Sequence, residues 1–166
     1  DPILILDLED IAYYLQPETV GLPTQFRSRN FLQEGSAERA SVLVVDDSLT
    51  VRRREQKLLQ SHGYQVDTAV DGADAWNRVR SGRYQLVITD VDMPRMDGLA
   101  LIQHIRADSQ LAHTPILVVS YKDRGADQQA ALDAGANAYL TKSSLGDQRL
   151  LKTVSNLLES GPLWTS

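Results

Sequence analysis

The sequence of 166 residues contains no cysteine, which excludes a disulfide framework and a thiolate metal site. It has no uninterrupted apolar run long enough to cross a bilayer, and residues 1–15 lack the basic segment that begins a secretory signal. The net charge is −5, and neither residues 1–40 nor residues 41–166 carry an excess of Lys and Arg. We therefore expect a cytoplasmic chain that neither inserts into membranes nor binds nucleic acid.

The first forty residues differ in pattern from the remainder. The pattern predicts one strand at Pro2–Asp7 and a short helical or irregular segment at Leu8–Leu15. The segment after it is rich in chain breakers, namely Pro17, Gly21, Pro23 and Gly35. Because one strand cannot build a core, we expect residues 1–40 not to fold as an independent domain.

From Ser41 onward, predicted strands and helices alternate. The predicted strands are Val42–Asp46, Gln65–Val70, Gln85–Asp90, Pro115–Ser120 and Ala138–Thr141. The predicted helices are Leu49–Ser61, Gly72–Ser81, Gly98–Ala107, Arg124–Asp133 and Gln148–Glu159. Five strand–helix units with right-handed crossovers give an α/β fold with three layers, in which helices cover both faces of a parallel sheet. Flavodoxin-like strand order 2-1-3-4-5 is the natural choice.

Residues that can do chemistry stand where these strands end. The first strand runs into Asp46 and Asp47, the third into Asp90, the fourth into Ser120 and the fifth into Lys142. Taken singly, each is an ordinary cap, turn or surface residue. The carboxyl ends of parallel strands meet at one edge of a sheet, so we expect all five side chains to converge there. Three crowded carboxylates repel one another, and a hard divalent cation relieves that repulsion.

The stretch Gln85–Gly98, together with these strand ends, resembles the receiver domain of two-component signalling, the response regulator family that includes CheY. The resemblance covers Val42 to about Leu158, within a domain placed at residues 41–160 and followed by a tail at 161–166. It implies a flavodoxin-like domain that takes a phosphoryl group from a phosphohistidine and catalyses that transfer itself. We identify no kinase catalytic domain in this sequence.

The resemblance also implies residue roles. Mg²⁺ or Mn²⁺ would be held by Asp46, Asp47, Asp90 and the backbone carbonyl of Asp92. Asp90 would be the nucleophile that forms an aspartyl-phosphate.

Further residues would contact the phosphoryl group or transmit its arrival. Lys142 and the Ser120 hydroxyl would hold phosphoryl oxygens, and Tyr139 occupies the place of the family's switch aromatic. Two residues depart from the family pattern. Tyr121 replaces a commonly small residue and could partly cover the site, and Ser143 replaces a common proline. Tyr121 leaves open a receiver that works mainly through protein contacts, with slow or absent phosphorylation.

Other motifs fit less well. The segment after Asp90 begins like a calcium loop but has Pro94 and Arg95 where a ligand and the turn glycine belong. A dinucleotide-binding fold needs a glycine-rich turn after the first strand, where this chain has Asp46-Asp47-Ser48. A Mg²⁺-dependent aspartyl phosphatase would carry its second acid two residues after the first, at the end of its first strand. In this chain the two acids at that place, Asp46 and Asp47, are adjacent.

The amino-terminal segment carries a second, shorter resemblance. Residues 3–11 look like the last strand of a CheW-like domain, so residues 1–16 would be its tail and 17–40 a linker. That order is similar to hybrid chemotaxis kinases of the CheA type, such as the Frz-type gliding-motility kinases. The first methionine is Met93, which also suggests a segment of a longer protein. We expect the receiver to regulate its own kinase through a face formed by residues 124–159, which would bind the kinase core or a CheW-like domain.

Overall fold

The computed structural model describes residues 3–4, 8–10, 39–144 and 146–160. The chain divides into two compact units between Arg39 and Ala40. In the first unit, Ile3–Leu4 pairs antiparallel with Leu8–Asp10. The prediction that the chain is helical or irregular from Leu8 is therefore wrong for the second of these strands, because pairing satisfies backbone groups that one strand leaves open.

The remaining predictions for the first forty residues, including the linker at 17–40, lie largely outside the described residues, as does the tail at 161–166. The CheW-like resemblance of residues 1–16 therefore stays a prediction. No helix in the described ranges is long and apolar enough to cross a membrane.

The second unit contains the predicted parallel sheet. Its strands are β1 (Ser41–Val45), β2 (Gln65–Ala69), β3 (Leu86–Thr89), β4 (Ile116–Ser120) and β5 (Ala138–Thr141). Its helices are α1 (Leu49–Ser61), α2 (Gly72–Ser81), α3 (Gly98–Ala107), α4 (Gly125–Ala134) and α5 (Asp147–Ser160). The strands are ordered β2-β1-β3-β4-β5 and every neighbouring pair is parallel, so the predicted flavodoxin-like order is confirmed.

The core lies on both faces of this sheet. Successive side chains of a strand point to opposite faces, so Leu43 and Val45 join one cluster while Val42 and Val44 join the other. The first cluster is covered by α2, α3 and α4, and the second by α1 and α5. Burial on both faces explains why β1, β3 and β4 are continuous apolar runs.

Polar side chains fix where three of the helices begin. Ser48 accepts a hydrogen bond from the Val51 amide at 3.3 Å to start α1. The Asp97 carboxylate accepts a hydrogen bond from the Ala100 amide at 2.8 Å at the start of α3. The Asp71 carboxylate likewise accepts a hydrogen bond from a backbone amide in the first turn of α2. Each bond satisfies an amide that has no partner within the helix. These caps also set how the loops leave the carboxyl edge of the sheet.

The Arg106 side chain ties the ends of elements at the opposite edge together. Its guanidinium donates to the carbonyls of Gly135, Ala112 and Thr114 at 2.9, 3.0 and 2.7 Å. It also donates to the Asn137 side chain at 2.8 Å. These bonds connect the end of α3 to the chain just before β4 and β5. They therefore hold together the starts of the two strands that lead to Ser120 and Lys142.

Candidate functional site at the carboxyl edge of the sheet

Three aspartates meet at the carboxyl edge, as the strand ends predicted. Carboxylate oxygens of Asp46, Asp47 and Asp90 lie within 4.8 Å of one another. Asp46 and Asp90 are buried, whereas Asp47 is exposed. The backbone holds two of them in place, since the Asp90 amide donates to the Val45 carbonyl at 3.0 Å and the Asp46 amide donates to the Ala69 carbonyl at 3.2 Å. An oxygen-only donor set of this charge fits a hard divalent cation.

Lys142 joins two of these carboxylates directly. Its Nζ lies 2.7 Å from Oδ2 of Asp46 and 3.0 Å from Oδ2 of Asp90, and its side chain is only 6% exposed. Burial alone would lower the pKa of Lys142, but the hydrogen bonds to Asp46 and Asp90 outweigh burial and raise it. The residue is therefore a fixed cation, and it neutralises part of the charge of both acids.

Hydrogen bonds hold both the carboxylate and the backbone carbonyl of Asp90. Its Oδ1 accepts a hydrogen bond from the Val91 amide at 2.7 Å, and its backbone carbonyl accepts one from the Thr89 hydroxyl at 2.8 Å. Burial raises the pKa of the Asp90 carboxyl, and the Lys142 ammonium opposes that shift without cancelling it. Gly98 packs directly on the Asp90 carbonyl, so a side chain at position 98 would push the backbone of Asp90 away.

Asp92 lies on the loop that follows β3, two residues beyond Asp90. Its carboxylate points to solvent and forms an ion pair with Lys122 at 3.2 Å, with 68% of the side chain exposed. The side chain is therefore engaged elsewhere, which is consistent with a role for its backbone carbonyl rather than its carboxylate.

Ser120 and Tyr139 contact the same residue of the loop between β4 and α4. The Ser120 hydroxyl accepts a hydrogen bond from the Lys122 amide at 3.2 Å. The Tyr139 hydroxyl donates to the Lys122 carbonyl at 2.7 Å. A movement of Ser120 would therefore reach Tyr139 through a single peptide segment.

Tyr121 stands beside the lysine, and its role in covering the site stays a prediction. Lys142 Nζ lies 4.9 Å from the centre of the Tyr121 ring, within cation–π range, and the residue is 65% exposed. Most of the ring therefore faces solvent while it remains in contact with the ammonium.

Glu55 is a buried carboxyl group that the sequence reasoning missed. It is 5% exposed and lies on α1, on the same face as the buried Leu59 one turn later. With Lys142 and Tyr121 it lines a cavity of ≈ 40 Å³, which has room for water. Burial raises the pKa of Glu55 to about 7, and the nearby Asp46 charge adds to that effect while Lys142 opposes it. A glutamate in register with apolar residues was the signal that could have identified it.

The raised pKa of Glu55 makes the stability of the fold depend on pH. The folded protein keeps the proton up to about pH 7, whereas the unfolded chain loses it near 4.5. The stabilising effect is therefore complete below the lower value and disappears as pH rises through the higher one. Relative to Glu55→Gln, the wild type should lose about 3 kcal/mol of unfolding free energy across that range.

Urea unfolding in a chelator between pH 4.5 and 8 measures this difference. Glu159→Gln is the control, because Glu159 is an exposed glutamate on α5 and its substitution should leave the pH dependence unchanged. A constant difference between wild type and Glu55→Gln would contradict the assignment.

Comparison with known proteins agrees with this geometry. The family model described as the response regulator receiver domain matches residues 42–155. The chain is 35% identical over 152 residues to the gliding motility regulatory protein of Myxococcus xanthus. This match covers 90% of this chain but only 20% of that protein. The chain thus spans a fifth of the length of this relative.

Two solved structures share the fold. The chemotaxis protein CheY4 of Vibrio cholerae is 35% identical with a TM-score of 0.68, and the match covers 72% of this chain and 98% of that one. The receiver domain of a signal transduction histidine kinase from Syntrophus aciditrophicus is 30% identical with a TM-score of 0.68, covering 73% and 91% of the two chains.

Proposed function

The chain belongs to the response regulator receiver family, and we propose that Asp90 is its phosphoryl acceptor and a phosphohistidine its donor. The observation that carries the proposal is the placement of Asp90, whose second oxygen lies 3.0 Å from a buried ammonium and beside two further carboxylates. Receiver domains accept phosphate from histidine kinases, and membership of the family supports a phosphohistidine as the donor here.

Asp46, Asp47, Asp90 and the Asp92 carbonyl would hold Mg²⁺ or Mn²⁺. Receiver domains bind Mg²⁺ at an acidic pocket, and the aspartate cluster of this chain supports the same assignment here. When bound, the ion would neutralise charge on the acids and on the transferred phosphoryl group. Asp47 is the most accessible of the three acids, so it would meet an arriving ion first.

The transfer itself forms one bond and breaks one. A carboxylate oxygen of Asp90 attacks phosphorus as the phosphorus–nitrogen bond of the phosphohistidine breaks, and the electron pair stays on the imidazole nitrogen. Asp90 must be ionised to attack, and the Lys142 ammonium favours the ionised form. Lys142 then exchanges its contact with the Asp90 carboxylate for one with a phosphoryl oxygen.

Ser120 would bind another phosphoryl oxygen through its hydroxyl. In doing so it would give up the hydrogen bond from the Lys122 amide, and the Lys122 carbonyl is held by Tyr139. The signal would then pass to the face formed by α4, β5 and α5, within residues 124–159. That face is the surface we propose for the kinase core or a CheW-like domain.

Asp90→Asn should abolish labelling by phosphoramidate, a small donor whose phosphorus–nitrogen bond is like that of phosphohistidine. The amide lacks the negative oxygen that attacks phosphorus, so the loss should be complete. Asp97→Asn is the matched control, because Asp97 lies in the same loop and asparagine can keep its helix cap. Intact-mass measurement with and without Mg²⁺ reads both variants. Persistent Mg²⁺-dependent labelling of Asp90→Asn would disprove the nucleophile assignment.

A second candidate function is a receiver that acts through protein contacts with little phosphorylation. The Tyr121 ring favours it, since it contacts the lysine that must move to the phosphoryl group. The same contact would slow phosphoryl transfer to Asp90 in the first proposal. The degree to which Tyr121 slows this transfer therefore distinguishes the two candidate functions.

Tyr121→Ala should speed labelling by phosphoramidate about threefold, in line with the energy of a partly exposed cation–π contact. Tyr121→Phe keeps the ring and should behave as the wild type. An unchanged rate in Tyr121→Ala would clear Tyr121 of an obstructing role. A wild type and a Tyr121→Ala variant that both fail to label would instead favour the interaction module.

We also propose that this receiver is part of a cytoplasmic hybrid kinase and regulates that kinase in cis. The match to the gliding motility regulatory protein is longer than residues 41–166, so it extends into the first forty residues. A receiver joined to its kinase meets the phosphohistidine at a high effective concentration, which favours it over diffusing receivers.

Deleting residues 41–166 from the full-length kinase should raise phosphate flow to a separately added receiver. Asp90→Asn in the intact kinase separates two mechanisms. A phosphate sink is lost in both variants, whereas a brake that acts by contact is lost only in the deletion. Equal flow in the deletion and the wild type would contradict regulation in cis.

A further inference from the structure

Arg95 has an unusual backbone conformation in the loop that follows β3. Its φ is 67°, and it is the one described residue other than glycine with a positive φ. This left-handed conformation is unfavourable for a residue with a side chain, because it brings Cβ close to the following carbonyl oxygen. The loop therefore needs a compensating contact to keep it there.

That contact is an ion pair with Asp71. Arg95 Nε lies 2.7 Å and its Nη2 3.0 Å from the two carboxylate oxygens, a bidentate geometry. The Asp71 side chain is 5% exposed and also caps α2 through the Asp74 amide at 2.9 Å. The guanidinium is thus anchored to a buried carboxylate that cannot easily move.

The backbone beside this pair is also in close contact. The Gly72 amide donates to the Met96 carbonyl at 2.9 Å, and a side chain at position 72 would collide with that carbonyl. At the base of the loop, the Gly98 amide donates to the Val91 carbonyl at 2.8 Å. The loop is therefore held at its tip by the start of α2 and at its base by the end of β3.

We propose that the Arg95–Asp71 pair fixes this loop so that the backbone carbonyl of Asp92 is presented to the divalent cation. Arg95 is then a positioning residue for metal binding, although it touches neither the metal nor the acids. The inference rests on the metal site of the proposed function. It adds that part of the metal affinity is set by a contact outside the acidic cluster.

Geometry explains why the pair should matter. Mg²⁺ requires near-ideal octahedral placement of its ligands, so a carbonyl that samples several positions binds it less well. Without the guanidinium, the loop loses its side-chain anchor to Asp71 and can sample other conformations, so metal binding would have to restore the first one.

Replacing Arg95 with a neutral residue tests the proposal, because a positioning role and a purely electrostatic role predict opposite changes in Mg²⁺ affinity. Arg95→Asn tolerates the left-handed conformation but loses the ion pair. If Arg95 acted only through its charge, removing a cation near the site would tighten Mg²⁺ binding. The positioning role predicts the opposite, a weakening of about fivefold, which is the upper end for an ion pair with one exposed partner.

Mg²⁺ affinity is measured by following backbone amide signals in an NMR titration, which also reports whether each variant is folded. Arg95→Lys keeps the charge and one contact, so its affinity should lie between those of the wild type and Arg95→Asn. Arg78→Ala is the control, because it removes an arginine–aspartate pair on α2 that does not reach the loop, and its affinity should not fall. Arg95→Gly replaces Arg95→Asn if the latter does not fold.

The outcomes separate the inference from the function on which it depends. A wild type that does not bind Mg²⁺ would overturn both the metal site and the positioning role. A wild type that binds Mg²⁺, with equal or tighter binding in Arg95→Asn or Arg95→Gly, would overturn the positioning role and leave the metal site standing.

Discussion

One ammonium group shared by two carboxylates is the interaction on which this site depends. Lys142 contacts Asp46 just after β1 and Asp90 just after β3, while Lys142 itself directly follows β5, the strand at one edge of the sheet. The contact therefore requires the strand order and the register of the whole sheet. It also stores positive charge beside the carboxylate that is proposed to receive a phosphoryl group. A helix-capped, doubly covered sheet supplies the rigidity that keeps these three groups in place.

The sheet and most of the site could be predicted from the sequence, for a physical reason. A parallel sheet gathers the carboxyl ends of its strands at one edge, so residues far apart in the chain, such as Asp46 and Lys142, converge without any long-range calculation. The helices could be located within a residue or two because Ser48 and Asp71 cap them with side chains of the expected type. The structure brings Asp47, Asp90 and Ser120 to the predicted edge as well.

What the sequence could not provide depends on contacts between elements. Glu55 stands beside a run of arginines and reads as part of a solvated helix face, yet it is buried and shares a cavity with Lys142. The ion pair of Arg95 with Asp71 joins two loops 24 residues apart, and no local sequence pattern predicts it. The strand at Leu8–Asp10 forms by pairing with Ile3–Leu4, and pairing is a property of two segments rather than of one.

The fixed charge at Lys142 also frames how the site would respond to its ligands. The ammonium offsets the acids in the absence of a metal, and a metal would take over that role. The lysine would then be available to the phosphoryl group. Tyr121 and the cavity beside Glu55 lie next to the same ammonium, so both form part of the environment of Lys142.

The Mg²⁺ affinity of Lys142→Met tests this account most directly. Methionine keeps much of the length and volume of lysine but removes the charge that competes with the metal for Asp46 and Asp90. If the ammonium occupies Asp46 and Asp90 in place of a metal, as described, the folded variant should bind Mg²⁺ about threefold or more tightly than the wild type. Unchanged or weaker binding by a folded Lys142→Met protein would contradict it.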